Sequence, residues 1–569
     1  MEYRRQKRMV LTFYLLLILF IPIIARLADV QLARGPEYAR RALEQRSMKV
    51  VLEDIPRGDI LDRNLKSLTG SGLQQKIVIF PSLMDDPQRV AESLAGILGE
   101  DTQKLIEQFA RGSGTLPYPL GMEQIRLIKE ANWRGVLVLP VRQRYYNQPL
   151  ASHLIGHLGS ISSPGKLEEL SAASTKCYHL NDLIGQMGLE KYYEQQLKAT
   201  RPERLVRAFA DAAGTLLAGM GIKLETSAAD PGRQHVVTTI DYRIQRVVER
   251  VMDKYVRCGA VVVMDVHTGD IVAMASRPNF HPARVSSQLE TASPETFVDH
   301  CTALYQPGSI FKVIVAAAAL EEGIVTEDTT FTCRGKNSKL VKCWYHPGHG
   351  TITFAEAFAQ SCNPVFAQVG LQLGAGKIID YARKFGLDNQ TVIGYPVPED
   401  KRQDLNLIAA PYNLVNSSIG QGPVLATPIQ ITAMMNTIIN DGMYIPPRLV
   451  RELRKSDGTI VQRFAPGDSY KVISGATASQ LREMLLLVVQ KGGGRKALVQ
   501  NYGSAGKTGS AEVEGQERVN AWFSGYAPVP NPRYVATVLV EQGISGSESA
   551  APVFREIMEE TLTLAPLTG

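Results

Sequence analysis

The feature that most constrains this chain is an uncharged apolar run near its start, "MVLTFYLLLILFIPIIA", over residues 9–25. It is at the short end of the length that crosses a bilayer as a helix. Arg4, Arg5, Lys7 and Arg8 precede it, and such a basic flank favours a cytoplasmic N-terminus with the remainder exported. A cleaved signal peptide fits less well, because no clean A-x-A site follows the run. A buried core helix is disfavoured by the terminal position. We therefore expect residues 1–8 in the cytoplasm and a transmembrane anchor over 9–25.

Composition indicates an ordinary folded protein beyond this run. Of 569 residues, 44% are hydrophobic and 21% are charged, and the net charge is +6. That excess is too mild to favour nucleic acid as a partner. At ~150 residues per domain, the length allows two to four domains.

Six cysteines are too few for a disulfide scaffold in a chain of this length. Cys333 and Cys343 flank a short polar loop, so they either pair as a disulfide after export or stay as free thiols. The segment "CWYHPGH" also raises the idea of zinc held by these cysteines with His346 and His349. The gap between the cysteines is longer than the usual C-x2–4-C spacing. We therefore expect a disulfide or free thiols here, and no metal.

The exported part divides into two segments. Residues 26–235 mix strand-like and helical stretches without repeats, and the turn-rich "AADPGRQ" at 228–234 marks a boundary. Beyond it, "GAVVVMDVHTGDIVAMAS" at 259–276 has two apolar runs around a turn, which predicts a β-hairpin. Two further strand-like runs and a closing helix lie near the C-terminus. Strands at both ends with helices between them predict an α+β domain over 236–569.

Catalytic chemistry is suggested by Ser309 and Lys312 in "YQPGSIFKVIVAAAALEEG". A helix that starts near Pro307 places both side chains on one face. A lysine beside an apolar run has its pKa shifted toward the neutral amine, which can take the proton of a nucleophilic hydroxyl. The bland alternative is a helix cap with a snorkelling lysine. A second S-x-x-K copy, Ser163 to Lys166, contains proline and glycine and is expected to be a solvated turn.

Two later motifs strengthen this interpretation. Ser361-Cys-Asn363 follows a helical pattern, and its hydroxyl and amide can relay a proton and hold a substrate carbonyl. Lys507-Thr508-Gly509 begins an extended stretch, where glycine lets a substrate backbone lie close to the strand. Its lysine and threonine supply a positive field and a hydroxyl for a carboxylate. Each motif alone could be a cap or a turn, but the three in this order favour a serine acyl-transfer site.

In these motifs the chain resembles the penicillin-binding proteins, specifically the membrane-anchored, monofunctional class B D,D-transpeptidases. "RGDILDRN" at 57–64 and "GQMGLEKYYEQQL" at 185–197 resemble segments of the family's non-catalytic pedestal, although "KATRPER" replaces its usual L-x-G continuation. The resemblance implies a mixed α/β pedestal, of the dimerisation type, over 26–235. It implies a penicillin-binding transpeptidase domain over 236–569, an antiparallel sheet flanked by helices and similar to the serine β-lactamases. The glycosyltransferase motifs of class A relatives are not found before residue 235.

The resemblance also implies catalytic roles. Ser309 would attack the carbonyl between two D-alanines of a stem pentapeptide, with Lys312 as its base. Ser361 and Lys507 would share proton transfer to the leaving D-alanine, and Asn363 would position the donor amide.

Substrate binding would fall to the third motif and its neighbour. Thr508 would hold the terminal carboxylate, and Gly509 would leave room for the donor. Backbone N–H groups of Ser309 and Ser510 would form the oxyanion hole. An amine of a second stem peptide would then deacylate the enzyme, and β-lactams would acylate the same serine and stall there. This chemistry needs no metal and no organic cofactor.

Two other kinds of function fit parts of the pattern. A D,D-carboxypeptidase or β-lactamase would use water for deacylation, but the anchor and pedestal favour a transpeptidase. A β-lactam sensor would want more membrane segments, and a scaffold for wall synthesis would not need three intact motifs. The resemblance implies a bacterial cell-membrane location, with the catalytic domain outside the cytoplasm. It further implies a SEDS-type membrane glycosyltransferase and other wall-synthesis proteins as partners, in cell shape, division or sporulation.

Overall fold

The computed structural model describes residues 2–38, 41, 47–70, 72–210, 216, 221–226, 229–396, 402–513 and 517–564. The chain separates into two compact units. The first comprises Met1–Pro56, Gly72–Arg144 and Arg201–Ala228, and the second comprises Arg57–Ser71, Tyr145–Thr200 and Ala229–Gly569. The units therefore alternate along the chain, whereas the sequence pattern predicts one boundary at residue 235.

The N-terminal apolar segment is helical, as predicted. An α-helix over Glu2–Ala28 contains Pro22 and continues as a π-helical turn over Asp29–Ala33. Among the described residues, Tyr3–Ala33 is the one helical stretch long and apolar enough to cross a membrane, and its apolar window is not buried. The segment fits a single-pass membrane anchor and extends past both predicted ends.

After the N-terminal helix, the described part of the first unit contains two three-stranded antiparallel sheets and three α-helices. One sheet has the strand order Ser47–Val51, Arg204–Phe209, Ile222–Thr226, and the other has the order Gly114–Thr115, Leu73–Ile79, Val136–Arg142. The helices are Pro87–Leu98, Thr102–Ala110 and Met122–Ala131. Ile77 and Ile79 belong to the core shared with these helices, while Val78 between them belongs to the core shared with the other sheet. This alternation is typical of a strand buried on both faces.

The second unit is organised by a five-stranded antiparallel sheet. Its strands run in the order Ile271–Arg277, Gly259–Asp265, Tyr534–Gly543, Val519–Ala527, Ala505–Glu512. The first two strands form the hairpin predicted from the sequence. Ala260 and Val262 contribute to one core, and Val261 and Val263 contribute to another, so the sheet is covered on both faces.

Helices lie on both faces of this sheet, which confirms the predicted α+β class. Tyr242–Tyr255 and Ala551–Thr563 cover one face. The other face carries a larger core around the helix Lys312–Glu321, hereafter the central helix, which is buried from Lys312 to Leu320. Other helices that contribute to this core are Phe354–Ala359, Asn363–Lys384, Pro428–Ile439 and Gly475–Gln490. The S-x-x-K motif therefore lies where the central helix begins.

A four-stranded sheet explains why the two units alternate along the chain. Its order is Ile460–Arg463, Val450–Lys455, Gln234–Thr238, Ile60–Leu61, and the last two strands pair in parallel. Buried Arg57 precedes this short strand and forms ion pairs with Glu190 at 3.1 Å and Glu194 at 2.8 Å. These contacts attach the "RGDILDRN" and "GQMGLEKYYEQQL" segments to the second unit.

Shorter elements complete the second unit. Its other α-helices are Ser152–Ile155, Pro164–Ala173, Gly188–Tyr192, Glu194–Leu197, Val285–Gln288 and Asn413–Ser418. Its two-stranded sheets pair Leu158–Ser160 with Leu183–Gly185, Thr330–Cys333 with Gly350–Thr353, and Met443–Tyr444 with Tyr470–Lys471.

Candidate active site

Ser309 lies in a tight turn that leads into the central helix. Residues Gly308–Phe311 form a 3-10 turn, and the α-helix proper begins at Lys312. A 3-10 turn has three residues per turn, so residues three apart are aligned along its axis. The sequence predicted a helix from near Pro307, and the 3-10 start keeps Ser309 and Lys312 in one row.

Two glycines let this turn approach the strand Ala505–Glu512. Gly308 has φ of +54°, and a Cβ there would lie 2.9 Å from the Ser510 carbonyl carbon. A Cβ at Gly509 would lie 2.7 Å from the Pro307 carbonyl oxygen. A larger residue at either position would push the turn and the strand apart. Glycine is therefore what brings Ser309 beside the K-T-G strand.

Lys312 is fully buried and is surrounded by three oxygen atoms. Its Nζ donates to the Ser361 carbonyl at 2.8 Å and to Asn363 Oδ1 at 2.7 Å, and Ser361 Oγ lies 3.2 Å away. Among the hydrogen bonds of the described chain, none joins Lys312 to Ser309. Burial lowers the pKa of Lys312 from its ordinary value to about 7, because the charged ammonium loses its hydration. A large neutral fraction therefore exists near physiological pH.

The same three oxygens also suit the neutral amine. A neutral amine has two N–H donors and one lone pair. The Ser361 carbonyl and the Asn363 amide oxygen accept the two N–H groups, and the Ser361 hydroxyl can turn to donate to the lone pair. Deprotonation consequently leaves no buried polar group without a partner. It also links Lys312 directly to a hydroxyl that can carry a proton.

The S-x-N motif lies at a helix junction, as its sequence context predicted. It joins the helix Phe354–Ala359 to the helix that begins at Asn363. Ser361 has φ of +54°, in the left-handed region that non-glycine residues avoid. This conformation belongs to the sharp turn in which the Ser361 carbonyl and the Asn363 side chain both contact Lys312. Backbone strain of this kind is often found at functional sites.

The K-T-G motif lies on the edge strand of the five-stranded sheet. Lys507 is fully buried, and its Nζ donates to the Thr508 carbonyl at 3.2 Å and lies 5.7 Å from the centre of the Phe358 ring. Burial holds the pKa of Lys507 well below its ordinary value, and the nearby Lys312 ammonium lowers it further. Ser510 is exposed, and its Oγ accepts from the Gly546 N–H at 3.0 Å.

A cleft of about 380 Å³ brings most of the predicted residues together. Predicted residues that line it are Ser309, Ser361, Asn363, Thr508, Gly509 and Ser510. Lys312 and Lys507 are not among its lining residues, and both are fully buried. The cleft is also lined by Trp344, Gln421 and Glu512, which the sequence did not single out. Trp344 is 59% exposed, and no sequence pattern marks an exposed aromatic residue as part of a cleft.

Two other features of the second unit do not form such a site. A larger cleft of about 810 Å³ is lined by Arg243, Arg246 and Arg250, and it contains none of the predicted site residues. The second S-x-x-K copy is not the solvated turn that the sequence suggested. Ser163 caps the helix Pro164–Ala173 by accepting from the Lys166 N–H at 3.3 Å. Pro164 does not prevent this helix, because proline is favourable at a helix start. The Lys166 side chain is exposed and pairs with Glu169, so this copy has no catalytic setting.

The cysteines form a cluster that the sequence did not predict. Cys333 and Cys343 are free thiols in the structure, so the disulfide alternative is not observed. They lie with His349 and Cys362, and the four ligand atoms are all within 4.8 Å of one another. Cys362 is the central residue of the S-x-N motif. The zinc hypothesis drawn from the sequence included His346 and not Cys362. Cys362 lies outside the segment from Cys333 to His349, so the spacing of residues within that segment did not point to it.

Family comparisons agree with this geometry. The penicillin-binding protein transpeptidase domain matches residues 259–559, and the penicillin-binding protein dimerisation domain matches residues 53–218. The chain belongs to the penicillin-binding protein transpeptidase family. Together, the two matched domains and the single N-terminal apolar helix are those of the class B penicillin-binding proteins. The resemblance inferred from the three motifs is therefore confirmed.

Curated relatives of this class B protein are similar over nearly its whole length. Stage V sporulation protein D of Bacillus subtilis is 28% identical, over 98% of this chain and 85% of the relative. The peptidoglycan D,D-transpeptidase MrdA of Acinetobacter baumannii is 27% identical, over 95% of this chain and 86% of the relative.

Two solved structures are similar to this class B protein. A chain from a peptidoglycan synthase complex, studied for the coordination of polymerisation and crosslinking, is 25% identical. It matches with a TM-score of 0.72 over 99% of this chain and all of its own length. Penicillin-binding protein A of Mycobacterium tuberculosis, in a ceftriaxone acyl-enzyme complex, is 29% identical. It has a TM-score of 0.52, over 59% of this chain and 81% of its own.

Proposed function

We propose that this protein is a peptidoglycan D,D-transpeptidase that cross-links stem peptides through an acyl-enzyme on Ser309. The observation that carries the proposal is the site around Lys312. Its buried amine, with a pKa of about 7, contacts the S-x-N motif beneath a cleft that Ser309 lines. An alcohol nucleophile, a base that is partly neutral and a proton-carrying hydroxyl are the parts that acyl transfer requires.

Acylation would proceed as follows. The Ser309 hydroxyl gives its proton to the Lys312 amine, and its Oγ bonds to the carbonyl carbon between the two D-alanines. The bond from that carbon to the terminal D-alanine nitrogen breaks, and this nitrogen receives the proton through Ser361 and Lys507. Asn363 holds the donor amide in place during these steps.

Binding of the donor would use the K-T-G strand. The Thr508 hydroxyl receives the terminal carboxylate, and Gly509 leaves room for the peptide. The N–H groups of Ser309 and Ser510 stabilise the oxyanion of the tetrahedral intermediate. In the second step, an acceptor amine attacks the acyl carbon, Ser309 Oγ leaves, and the proton lost by the amine returns to Ser309.

Loss of the nucleophile tests this proposal directly. Ser309→Ala should abolish covalent labelling by a fluorescent penicillin, measured on denaturing gels of the full-length chain. Ser163→Ala removes the serine of the second S-x-x-K copy and is the matched control, which should label normally. Labelling that persists in Ser309→Ala, or that is lost in Ser163→Ala, would refute the assignment.

We also propose an orientation of the chain in the membrane. The basic residues before the anchor favour a cytoplasmic N-terminus, with the catalytic unit outside the bacterial cell membrane. A C-terminal alkaline phosphatase fusion should therefore be active, and an active N-terminal fusion would contradict this orientation.

We also propose a SEDS-type membrane glycosyltransferase as a partner. Support comes from the similarity to a chain of a peptidoglycan synthase complex, whose study concerns polymerisation together with crosslinking. Co-purification of the full-length chain with such a polymerase from membranes is the expected result. Independent migration of the two proteins after mild solubilisation would count against the partnership.

A further inference from the structure

Glu512 is the one charged residue among those that line the active-site cleft in the described part of the chain. It ends the strand Ala505–Glu512, in which Ser510 and Glu512 are exposed and Ala511 between them is buried. Successive side chains of a strand point to opposite faces, so Glu512 shares the cleft face with Ser510 and Thr508. Its carboxylate forms no ion pair or hydrogen bond with any residue that the structure describes. This negative charge is therefore available to a cation of the substrate.

We propose that Glu512 binds the side-chain ammonium group of the donor stem peptide, on the residue that precedes the two D-alanines. The inference rests on the proposed function. In that reaction a stem peptide supplies the acceptor amine, so the donor, a peptide of the same kind, carries such an amine as well. An alkyl amine in water is protonated at neutral pH, and a carboxylate is the side chain that attracts it.

The order of groups along the strand places Glu512 beside that residue of the donor. In the proposed reaction, Thr508 receives the terminal carboxylate, and the Ser510 N–H stabilises the oxyanion at the scissile carbonyl. A strand rises about 3.4 Å per residue, so the side chains of Thr508, Ser510 and Glu512 follow one another about 7 Å apart. The donor continues in the same direction, from its carboxylate through the scissile carbonyl to the residue before the two D-alanines. Glu512 is the next cleft-facing side chain in this row.

The acceptor amine belongs at the other end of the row. It attacks the acyl carbon from which the D-alanine nitrogen has departed, so it enters on the side that the leaving D-alanine occupied, near Thr508. The charges of the strand support the same direction, because Lys507 lies at the carboxylate end and Glu512 at the opposite end. A donor with a carboxylate at one end and an ammonium toward the other is therefore favoured in one orientation.

A simpler explanation for Glu512 is that it protects the edge of the sheet. Ala505–Glu512 is the last strand of the five-stranded sheet, and an exposed charge on an edge strand discourages pairing with another chain. Glu517 allows the two explanations to be separated. It is exposed in the turn after this strand and does not line the cleft. Under our proposal only Glu512 responds to the charge of the substrate.

Two matched penicillins test this contact. In each, the side-chain amide is formed with Nα-acetyl-lysine, which puts a lysine where the residue before the two D-alanines lies. One probe has a free lysine amine, and in the other this amine is acetylated. The second-order rate of acylation of the full-length chain in detergent is measured for each probe by competition with a fluorescent penicillin.

The wild type should react about fivefold faster with the free-amine probe, the upper end for an exposed ion pair. This preference should shrink as salt is added. Glu512→Gln should react with both probes at nearly the same rate, and Glu512→Lys should prefer the acetylated probe. Glu517→Gln is the matched control and should keep the wild-type preference. Each preference is a ratio of two rates of one variant, so a partly unfolded sample lowers both rates and leaves the ratio intact.

Equal rates with the two probes in the wild type, or the wild-type preference retained in Glu512→Gln, would overturn the inference. A Glu512→Gln chain that keeps the preference and passes its acyl group more slowly to an amine acceptor would place Glu512 in acceptor binding, and it would overturn the donor assignment. The proposed function fails in a different way, since a wild-type chain that neither probe acylates has no acyl-enzyme on Ser309.

Discussion

The pH dependence of acylation offers the sharpest test of the role of Lys312. Burial lowers the pKa of this lysine to about 7, and only its neutral form can take the proton of Ser309. At pH 7 about half of the amine is neutral, and at pH 5 about 1% is neutral. The acylation rate should therefore fall roughly 50-fold from pH 7 to pH 5. From pH 7 to pH 9 it should rise only about twofold and then level off.

A lysine of ordinary pKa would give a different profile. With the usual value near 10.4, the neutral fraction would still rise about tenfold for each pH unit between 7 and 9. The two cases therefore differ by about 50-fold in the change expected over that interval. The acylation rate should fall as the pH falls, because protonation of Lys312 at low pH removes the base.

The assay is the second-order rate of acylation by a fluorescent β-lactam that has no titrating group between pH 5 and pH 9. Time courses should be taken at constant ionic strength, with circular dichroism as a check that the chain stays folded. A rate that keeps rising tenfold per unit above pH 8, or one that is flat from pH 5 to pH 9, would refute the reasoning. A step through pH 7 that survives in Lys312→Met would assign it to another group.

Three further substitutions test the catalytic base, the approach of the turn to the K-T-G strand, and the buried ion pairs of Arg57. Lys312→Met should slow acylation by at least 100-fold, the usual worth of a general base. The pKa of Lys312 is depressed in the folded chain, so between pH 7 and pH 10 the unfolded chain binds more protons than the folded chain does. From pH 7 to pH 9, the free energy of unfolding of the wild type should therefore rise by about 2 kcal/mol relative to that of Lys312→Met, as measured by thermal unfolding. Gly308→Ala should slow acylation about tenfold or more through its contact with the K-T-G strand, whereas Gly323→Ala, with φ of +66° and open space around it, should not. Arg57→Met removes the guanidinium that forms ion pairs with two buried carboxylates, Glu190 and Glu194, and should cost about 3–5 kcal/mol in denaturant unfolding. Lys377→Met, which removes a half-exposed ion pair, is its control, and equal losses in the two variants would contradict this reasoning.

Local patterns predicted the parts of the fold that depend on neighbours in the chain. Alternating apolar residues with a turn between them identified the hairpin from Gly259 to Arg277, because strand periodicity is a local property. The apolar run after Lys312 identified the central helix, because it too is a pattern of neighbouring residues. The family resemblance added the order and the roles of the three motifs.

What the sequence did not predict depends on contacts between distant segments. The strand Ile60–Leu61 is only two residues long, and its pairing with Gln234–Thr238 sets which unit the segment belongs to. Cys362 directly precedes the helix Asn363–Lys384, and it lies beside Cys333 and Cys343 through contacts between segments that are separate in the chain. Neither the length of a short strand nor the spacing of cysteines contains this information. The second S-x-x-K copy shows the converse, since identical spacing serves there as a helix cap.

The extreme apolarity of the central helix follows from the chemistry at its start. Keeping Lys312 at a pKa of about 7 costs about 4 kcal/mol at neutral pH relative to an ordinary lysine. The net stability of a folded domain is only about 5–15 kcal/mol, so this cost is a large share of it. The left-handed Ser361 adds strain of about 1–3 kcal/mol at the same place. Residues Val313 to Leu320 are all buried. The larger side chains among them, Val313, Ile314, Val315 and Leu320, each contribute up to about 1.5–3 kcal/mol. An apolar helix that enters the core directly after Lys312 therefore offsets the cost of the base, and it also provides the dry surroundings that keep the amine neutral.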